Sequence, residues 1–413
     1  MLSRSLSISW STAWFIELTL DELTFLQSPE IRAFIAENEH ADVQKLVLNP
    51  PKLFKDQIRL IADQIISRRK LKNKLPKWLE ADAILPPPLS AEQASSEATA
   101  QYKSTIFRGD HLVDLTGGTG VDTLALSSQF AQVEYIERDP WLCELFLHNQ
   151  QLFTDKHIKV HQETAEEFLQ HFNGKASFYL DPARRNENKK VFLLEDCQPN
   201  LLELMPVLVA KSDQALIKLS PMMDIKEGLK RLSHTKAVHV VSVKNECKEV
   251  LFHLDFRYST VNPMIHCINI KNDSIDTFEF TYEEERDTQA AFGESGKYLY
   301  DPNASLLKAG AFNILADRYG LNKISSNTHL YTSDQLIDEF PGRCFEVIYE
   351  HLKASDIKVL IPEKQANVIA KNYPLSSDAL RNKLKLKEGG EKFIIGFGNR
   401  NGAPKITFCK RLF

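Results

Sequence analysis

The residues best suited to bind or transform a small molecule fall in three stretches of the chain. In DLTGGTGVDT, Asp114 to Thr123, Gly117, Gly118 and Gly120 leave no Cβ in a turn. Backbone amides and the positive end of a following helix can then approach a ligand closely. The spacing G-G-x-G departs from the dinucleotide fingerprint G-x-G-x-x-G, which points away from a pyrophosphate and toward a ligand with one small anionic group. In YIERD, Glu137 stands 23 positions after Asp114, where a carboxylate at a strand end accepts both hydroxyls of a ribose. In SFYLDPARRNENKK, Asp181-Pro182 ends another apolar run, with Arg184 and Arg185 able to grip a phosphate or to orient Asp181. Lys218, in KLSP, adds a charge at a further strand end, a position a purely structural lysine would also suit. Plainer readings remain open: a tight strand-to-helix turn with a solvated Glu137, and Asp181 as a turn acid or helix cap.

These stretches need elements to hold them. From His111 onward, the runs HLVDLTG, VEYIERD, IKVHQ, SFYLDP, ALIKLSP and AVHVVSV alternate with helical segments, which predicts βαβ units and a mostly parallel, doubly wound sheet. With 413 residues the prior is two or three domains. We place a small helical region at 1–88, ending in the linker Pro86-Pro87-Pro88, whose fixed φ angles forbid helix or central strand. The doubly wound α/β domain then runs over 89–275 and a mixed α+β region over 276–413. The last contains a helix expected from Asn303 to Tyr319, stopped by Gly320. Near the carboxyl terminus Ser376 or Ser377 reads as an N-cap, with Arg381 and Lys385 on one helix face.

Composition narrows the partners. A net charge of −4 leaves any polyanion to a local patch rather than the overall field. Arg68, Arg69, Lys70, Lys72, Lys74 and Lys77, with Trp78, form one such patch, suited to phosphates plus one stacked base, or else to a solvated helix end. The six cysteines are scattered without a C-x-x-C pair, so we expect neither zinc nor disulfides and a reducing cytoplasm. No 18-residue apolar run suggests a membrane span. Nothing in the pattern sets an oligomeric state.

The glycine turn and its two acids resemble the class I S-adenosylmethionine-dependent methyltransferases, with a Rossmann-like sheet. That resemblance implies S-adenosyl-L-methionine as cofactor, with Asp114 facing its methionine part. Thr116, Gly117, Gly118 and Gly120 would wrap the adenosine, Glu137 the ribose, and Glu163 and Thr164 would lie beside the adenine. Asp181, Pro182 and Arg184 then fall in the catalytic loop, where a carboxylate accepts hydrogen bonds from an amine undergoing methylation. Ala183 and Arg184 replace the second proline and the aromatic of the nucleobase-amine version. Asp-Pro-Ala-Arg also resembles the uracil-C5 enzymes, but Ser220 stands where their cysteine nucleophile would be.

Together EQASSEATAQYK, DLTGGTGVD, DPARR, YDPNASLLKAGAF, NTHLYTS, FPGR and YPLSSDALRNKLKLKEGG resemble a bacterial family of class I methyltransferases with a carboxyl-terminal THUMP-like domain, from about Ala62 onward. This implies a structured RNA substrate, tRNA or rRNA, and together with the Asp-Pro loop it makes N-methylation of an RNA base the leading expectation. Arg185, Lys218, Arg68, Arg69, Lys70 and Lys72 would then serve as substrate contacts. Two other readings stand beside it. One is a small-molecule methyltransferase or aminopropyl-transfer relative; the other is a non-catalytic RNA-binding or assembly protein retaining a cofactor pocket.

Overall fold

A computed structural model describes residues 21–184, 194–258, 260–353 and 356–413. The chain divides into two compact units, one of residues 1–234 and 252–259, the other of 235–251 and 260–413.

In the first unit five apolar runs form strands: β1 (Gly109–Asp114), β2 (Phe130–Glu137), β3 (Lys159–Gln162), β4 (Ser177–Leu180) and, later in the chain, Gln214–Leu219. A two-stranded antiparallel pair lies between the last two, β5 (Ala183–Arg184) with β6 (Cys197–Gln198), so Gln214–Leu219 is β7. The order β3-β2-β1-β4-β7 is parallel throughout. β1 is central, and the chain moves outward to β3 before returning to the other side of β1 at β4. That reversal opens a crevice at the carboxyl ends of β1 and β4, where doubly wound sheets bind ligands.

The amino-terminal helices belong to this unit's core. Ile61 and Ile65 of α1 (Ile58–Leu71) pack with Leu23, Ile35, Ile84 and with Leu145, which lies on a helix after β2. The triple proline is no free linker. Gln64 donates to the Leu85 carbonyl (2.6 Å) and accepts its N–H (2.9 Å), Ser67 donates to the Pro86 carbonyl (2.7 Å), and Asn149 brackets Ile84 through both main-chain groups. Pro88 begins α2 (Pro88–Gln93), because a first-turn proline removes an N–H that has no helical partner.

The second unit holds β8 (Thr235–Val243), which pairs in parallel with β10 (Met264–Ile270). β10 forms a hairpin with β11 (Ile275–Phe280). β9 (Glu246–Asp255) begins in this unit and ends in the first. A seven-stranded sheet follows. Its strands are β12 (Tyr298–Pro302), β13 (Asn322–Lys323), β14 (Tyr331–Ser333), β15 (Gly342–Tyr349), β16 (Asn367–Lys371), β17 (Lys392–Gly398) and β18 (Pro404–Arg411). Their order is β13-β14-β12-β15-β18-β17-β16, antiparallel except for β16 and β17.

The two compact units part along the chain at 234/235, and the region after 275, set apart in the sequence by its loss of strand–helix alternation, packs within the second of them. The carboxyl-terminal region clasps β8 and β10: the Ala304 N–H donates to Asn245 (2.8 Å) and the Tyr282 hydroxyl to the Ala309 carbonyl (3.0 Å). The helix expected over 303–319 is two helices, Ala304–Ala309 and Asn313–Arg318. Gly310 stops the first at φ 80°, and Glu285 caps the second by accepting the N–H groups of Phe312, Asn313 and Ile314. Ser376 caps Ser377–Lys383 as expected, but Lys385 lies beyond that helix in a left-handed conformation and shares no face with Arg381.

Candidate functional site

A cavity of about 260 Å³ opens at the crevice beside β1. Asp114, the last residue of β1, is 1% exposed. Its carboxylate accepts the Thr116 N–H (3.0 Å) and the Thr123 hydroxyl (2.5 Å). Burial pushes its pKa up to about 7, against those two hydrogen bonds, and the charges of Asp122 and Asp181 add to the rise. Gly117 lies against Tyr135, whose ring would stand 2.2 Å from an added Cβ; Gly120 adopts φ 77° with the Phe146 ring 2.1 Å from its Cβ position. Tyr135 and Phe146 stack at 4.0 Å. Both glycines are therefore required by packing beneath the turn. Gly118, by contrast, would bring an added Cβ only into ordinary contact with the Thr116 carbonyl oxygen (3.6 Å) at φ 55°, and its amide donates 2.9 Å to Glu137.

Glu137 closes the far side of the turn. One carboxylate oxygen accepts from Gly118 and the other from Asp139 (2.9 Å). Glu163 and Thr164, after β3, line the same cavity. Glu163 pairs with His171 (2.7 Å) and His161 (3.4 Å). The Thr164 hydroxyl is engaged in a capping box with Glu167.

Asp181 stands at the end of β4 on the cavity wall. Thr116 joins it to Asp114: the Thr116 hydroxyl accepts the Asp181 N–H (2.6 Å) while its own N–H donates to Asp114. The Asp181 carboxylate forms an ion pair with Lys218 from β7, the strand adjacent to β4. Pro182 is buried and Ala183 exposed. Arg184 lies in β5, paired with Cys197, and Arg185 falls outside the described residues.

Behind the cavity lies a charged network the sequence did not single out. Lys103, fully buried on the helix Glu97–Ile106, pairs with Asp122 (3.0 Å) and donates to Ser95 (3.1 Å). Asp122 also accepts hydroxyls from Tyr179 (2.6 Å) and Ser95 (2.7 Å). Burial opposes ionisation of Asp122, but Lys103 and then Lys218, helped by the two hydroxyls, hold its carboxyl below the usual range. Charges thus alternate from Lys103 through Asp122 and Lys218 to Asp181. Removing Lys103 leaves a buried carboxylate without its main partner, so Lys103→Met is expected to lower unfolding free energy by about 3–5 kcal/mol. Urea titration measures this, and Lys103→Met with Asp122→Asn should recover much of the loss. Equal losses in both variants would mean that packing, not charge, is at stake.

Ser90, Gln93, Ser95, Asp122, Arg138, Tyr179, Gln198 and Pro199 also line the cavity and were not assigned from sequence. Ser95 and Gln93 lie in EQASSE, just before the helix leading into β1; a polar run so close to the glycine turn was the available signal. The amino-terminal basic patch is already engaged. Arg68 and Lys72 pair with Glu39 (3.8 and 3.3 Å), Lys70 with Glu92 (2.6 Å), and Arg69 donates to the carbonyls of Glu39 and Ala41. Trp78 is 4% exposed and stacks on Phe153, so it offers no surface for a base. Among the described residues no group of three or more His, Cys, Asp or Glu is arranged to hold a metal ion, and no helix is long and apolar enough to cross a membrane.

Residues 298–341 match a ferredoxin-like domain model and 342–411 a THUMP domain-like model. An uncharacterized S-adenosylmethionine-dependent methyltransferase of Mycobacterium tuberculosis is 21% identical over 369 residues, 86% of this chain and 96% of that protein. A crystal structure of a candidate methyltransferase from Porphyromonas gingivalis W83 is 34% identical. It superposes with a TM-score of 0.80 over 93% of this chain and 98% of the other.

Proposed function

Because the chain belongs to the family of S-adenosylmethionine-dependent methyltransferases with a carboxyl-terminal THUMP-like domain, we propose that it methylates a base nitrogen in structured RNA, tRNA or rRNA. Asp114, Thr116, Gly117, Gly118, Gly120 and Glu137 would hold the cofactor, with Glu163 and Thr164 at its adenine end. The residues fit that group. Six carboxylates and a single guanidinium, Arg138, line the cavity among the described residues, which suits a ligand carrying an ammonium and a sulfonium. Each oxygen of Glu137 takes one amide hydrogen bond and keeps a lone pair for one of two vicinal hydroxyls. When bound, the cofactor supplies a methyl group on a positively charged sulfur.

The observation that carries the proposal is the placement of Asp181 on the wall of the same cavity, tied through Thr116 to Asp114. Asp181 accepts a hydrogen bond from the base N–H and takes its proton, and the buried Pro182 fixes the backbone where it leaves β4. Arg184 and Arg185 are assigned to substrate phosphate. Arg68, Arg69, Lys70 and Lys72 reach phosphate only by giving up internal partners, so their share of RNA binding is expected to be small. The RNA substrate draws its support from the THUMP domain-like match.

The test is incubation with methyl-labelled cofactor and total RNA from a strain lacking the gene. Label is expected in one modified base nucleoside after nuclease digestion. Label confined to a low-molecular-weight extract would replace RNA by a small-molecule substrate.

A further inference from the structure

The ion pair between Asp181 and Lys218 bears on which base nitrogen is the acceptor, a question that rests on the methyltransferase reading above. An exocyclic amine that takes a methyl group gains positive charge in the transition state. Its partners should be acceptors alone, with an aromatic surface to hold the base. At this site the carboxylate is bonded to an ammonium group on the neighbouring strand, and Arg184 stands where the stacking ring would be. A cation there repels a developing positive charge and attracts a developing negative one.

We propose that Asp181 and Lys218 together select a lactam nitrogen, the ring N–H flanked by a carbonyl found in guanine N1 and uracil N3, in preference to an exocyclic amine. The –CO–NH– edge matches the pair: the N–H donates to the Asp181 carboxylate and the carbonyl oxygen accepts from Lys218 Nζ. As the nitrogen–methyl bond forms and the sulfur–methyl bond breaks, the lactam proton passes to Asp181. The negative charge gathered on the carbonyl oxygen is held by Lys218, and sulfur leaves with its electron pair as a neutral thioether. The proton returns to water when product departs. Lys218 is 12% exposed and Asp181 35% at their side chains, so the pair is shielded enough for its charge to act strongly and open enough to meet a base.

The experiment is mass spectrometry of nucleosides from deletion-strain RNA treated with the wild-type enzyme, with Lys218→Met and with Lys218→Arg. A methyl group on a lactam nitrogen is expected. Lys218→Met should lower the single-turnover rate about 100-fold or more. Its rate should climb with pH because the base must then ionise unaided, whereas the wild-type rate should be flatter; Lys218→Arg should recover part of the rate. Thermal melting of the variants separates this from misfolding. Methyl on N6 of adenine, N4 of cytosine or N2 of guanine overturns the lactam assignment while leaving RNA methylation intact. So does a Lys218→Met enzyme slowed with an unchanged pH profile. No methyl in any RNA base removes the RNA reading and this inference with it.

Discussion

Asp181→Ala is expected to slow methyl transfer by about 10²–10⁴-fold, the range for loss of a positioned proton acceptor, while leaving cofactor affinity little changed. The affinity should persist because the tie between Asp181 and the glycine turn runs through its backbone: the Asp181 N–H donates to the Thr116 hydroxyl, and alanine keeps that bond. Electrostatics points the same way. The Asp181 charge is one of the influences that raise the Asp114 carboxyl, so removing it makes Asp114 easier to ionise. Single-turnover rates and calorimetry with the demethylated cofactor separate the two quantities. A parallel loss of both would make Asp181 part of the cofactor wall. An unchanged cellular phenotype in the alanine strain would favour a binding or assembly role over catalysis.

Much of this site could be read from the sequence because its parts are local. The strands β1, β2, β3, β4 and β7 are short apolar runs between helical segments, and Gly117 to Gly120 have few structural uses outside a strand-to-helix turn. What was hidden is contact across long separations. Nothing local says that the Thr116 hydroxyl will meet the Asp181 amide. Likewise, a lysine in EATAQYKSTI reads as a solvated helix residue, yet Lys103 is wholly buried because Asp122 stands opposite it. The triplet Pro86 to Pro88 signalled a break in regular structure that holds for its first two residues, whereas Pro88 opens α2. It could not reveal that Gln64, Ser67 and Asn149 on two helices would strap that break into the core. In the carboxyl-terminal region the helical pattern carries through Gly310, and only the left-handed φ there divides it. Strands of two or three residues, such as β13 and β14, are too short for alternation to register.

Asp114→Asn should separate stability from binding in opposite directions. In the free protein burial raises the Asp114 carboxyl to about 7, above the value it has when the chain is unfolded. A carboxyl raised in this way favours the folded state at low pH. That contribution is complete below the ordinary aspartate range, near 4, and is lost as pH rises through about 7. Above pH 7 the folded protein therefore carries a buried charge it would be more stable without. Asparagine removes that charge and can keep both neighbours, its carbonyl accepting from the Thr116 N–H and its amide donating to the Thr123 hydroxyl. The variant should melt several degrees higher at pH 8, since about 1 kcal/mol corresponds to about 2–4 °C for a domain of this size, and no higher at pH 5. Binding of the cofactor or its demethylated product should behave in the reverse sense. Under the assignment of Asp114 to the ammonium end of the ligand, wild-type affinity should fall with acidification below about pH 7 as the carboxylate takes a proton. The Asn variant should bind weakly with little pH dependence over the same range. Calorimetry between pH 5 and 8 measures both behaviours. A wild-type affinity that is flat across that interval would mean that Asp114 does not meet the ligand's cation, leaving the carboxylate a buried support for the glycine turn.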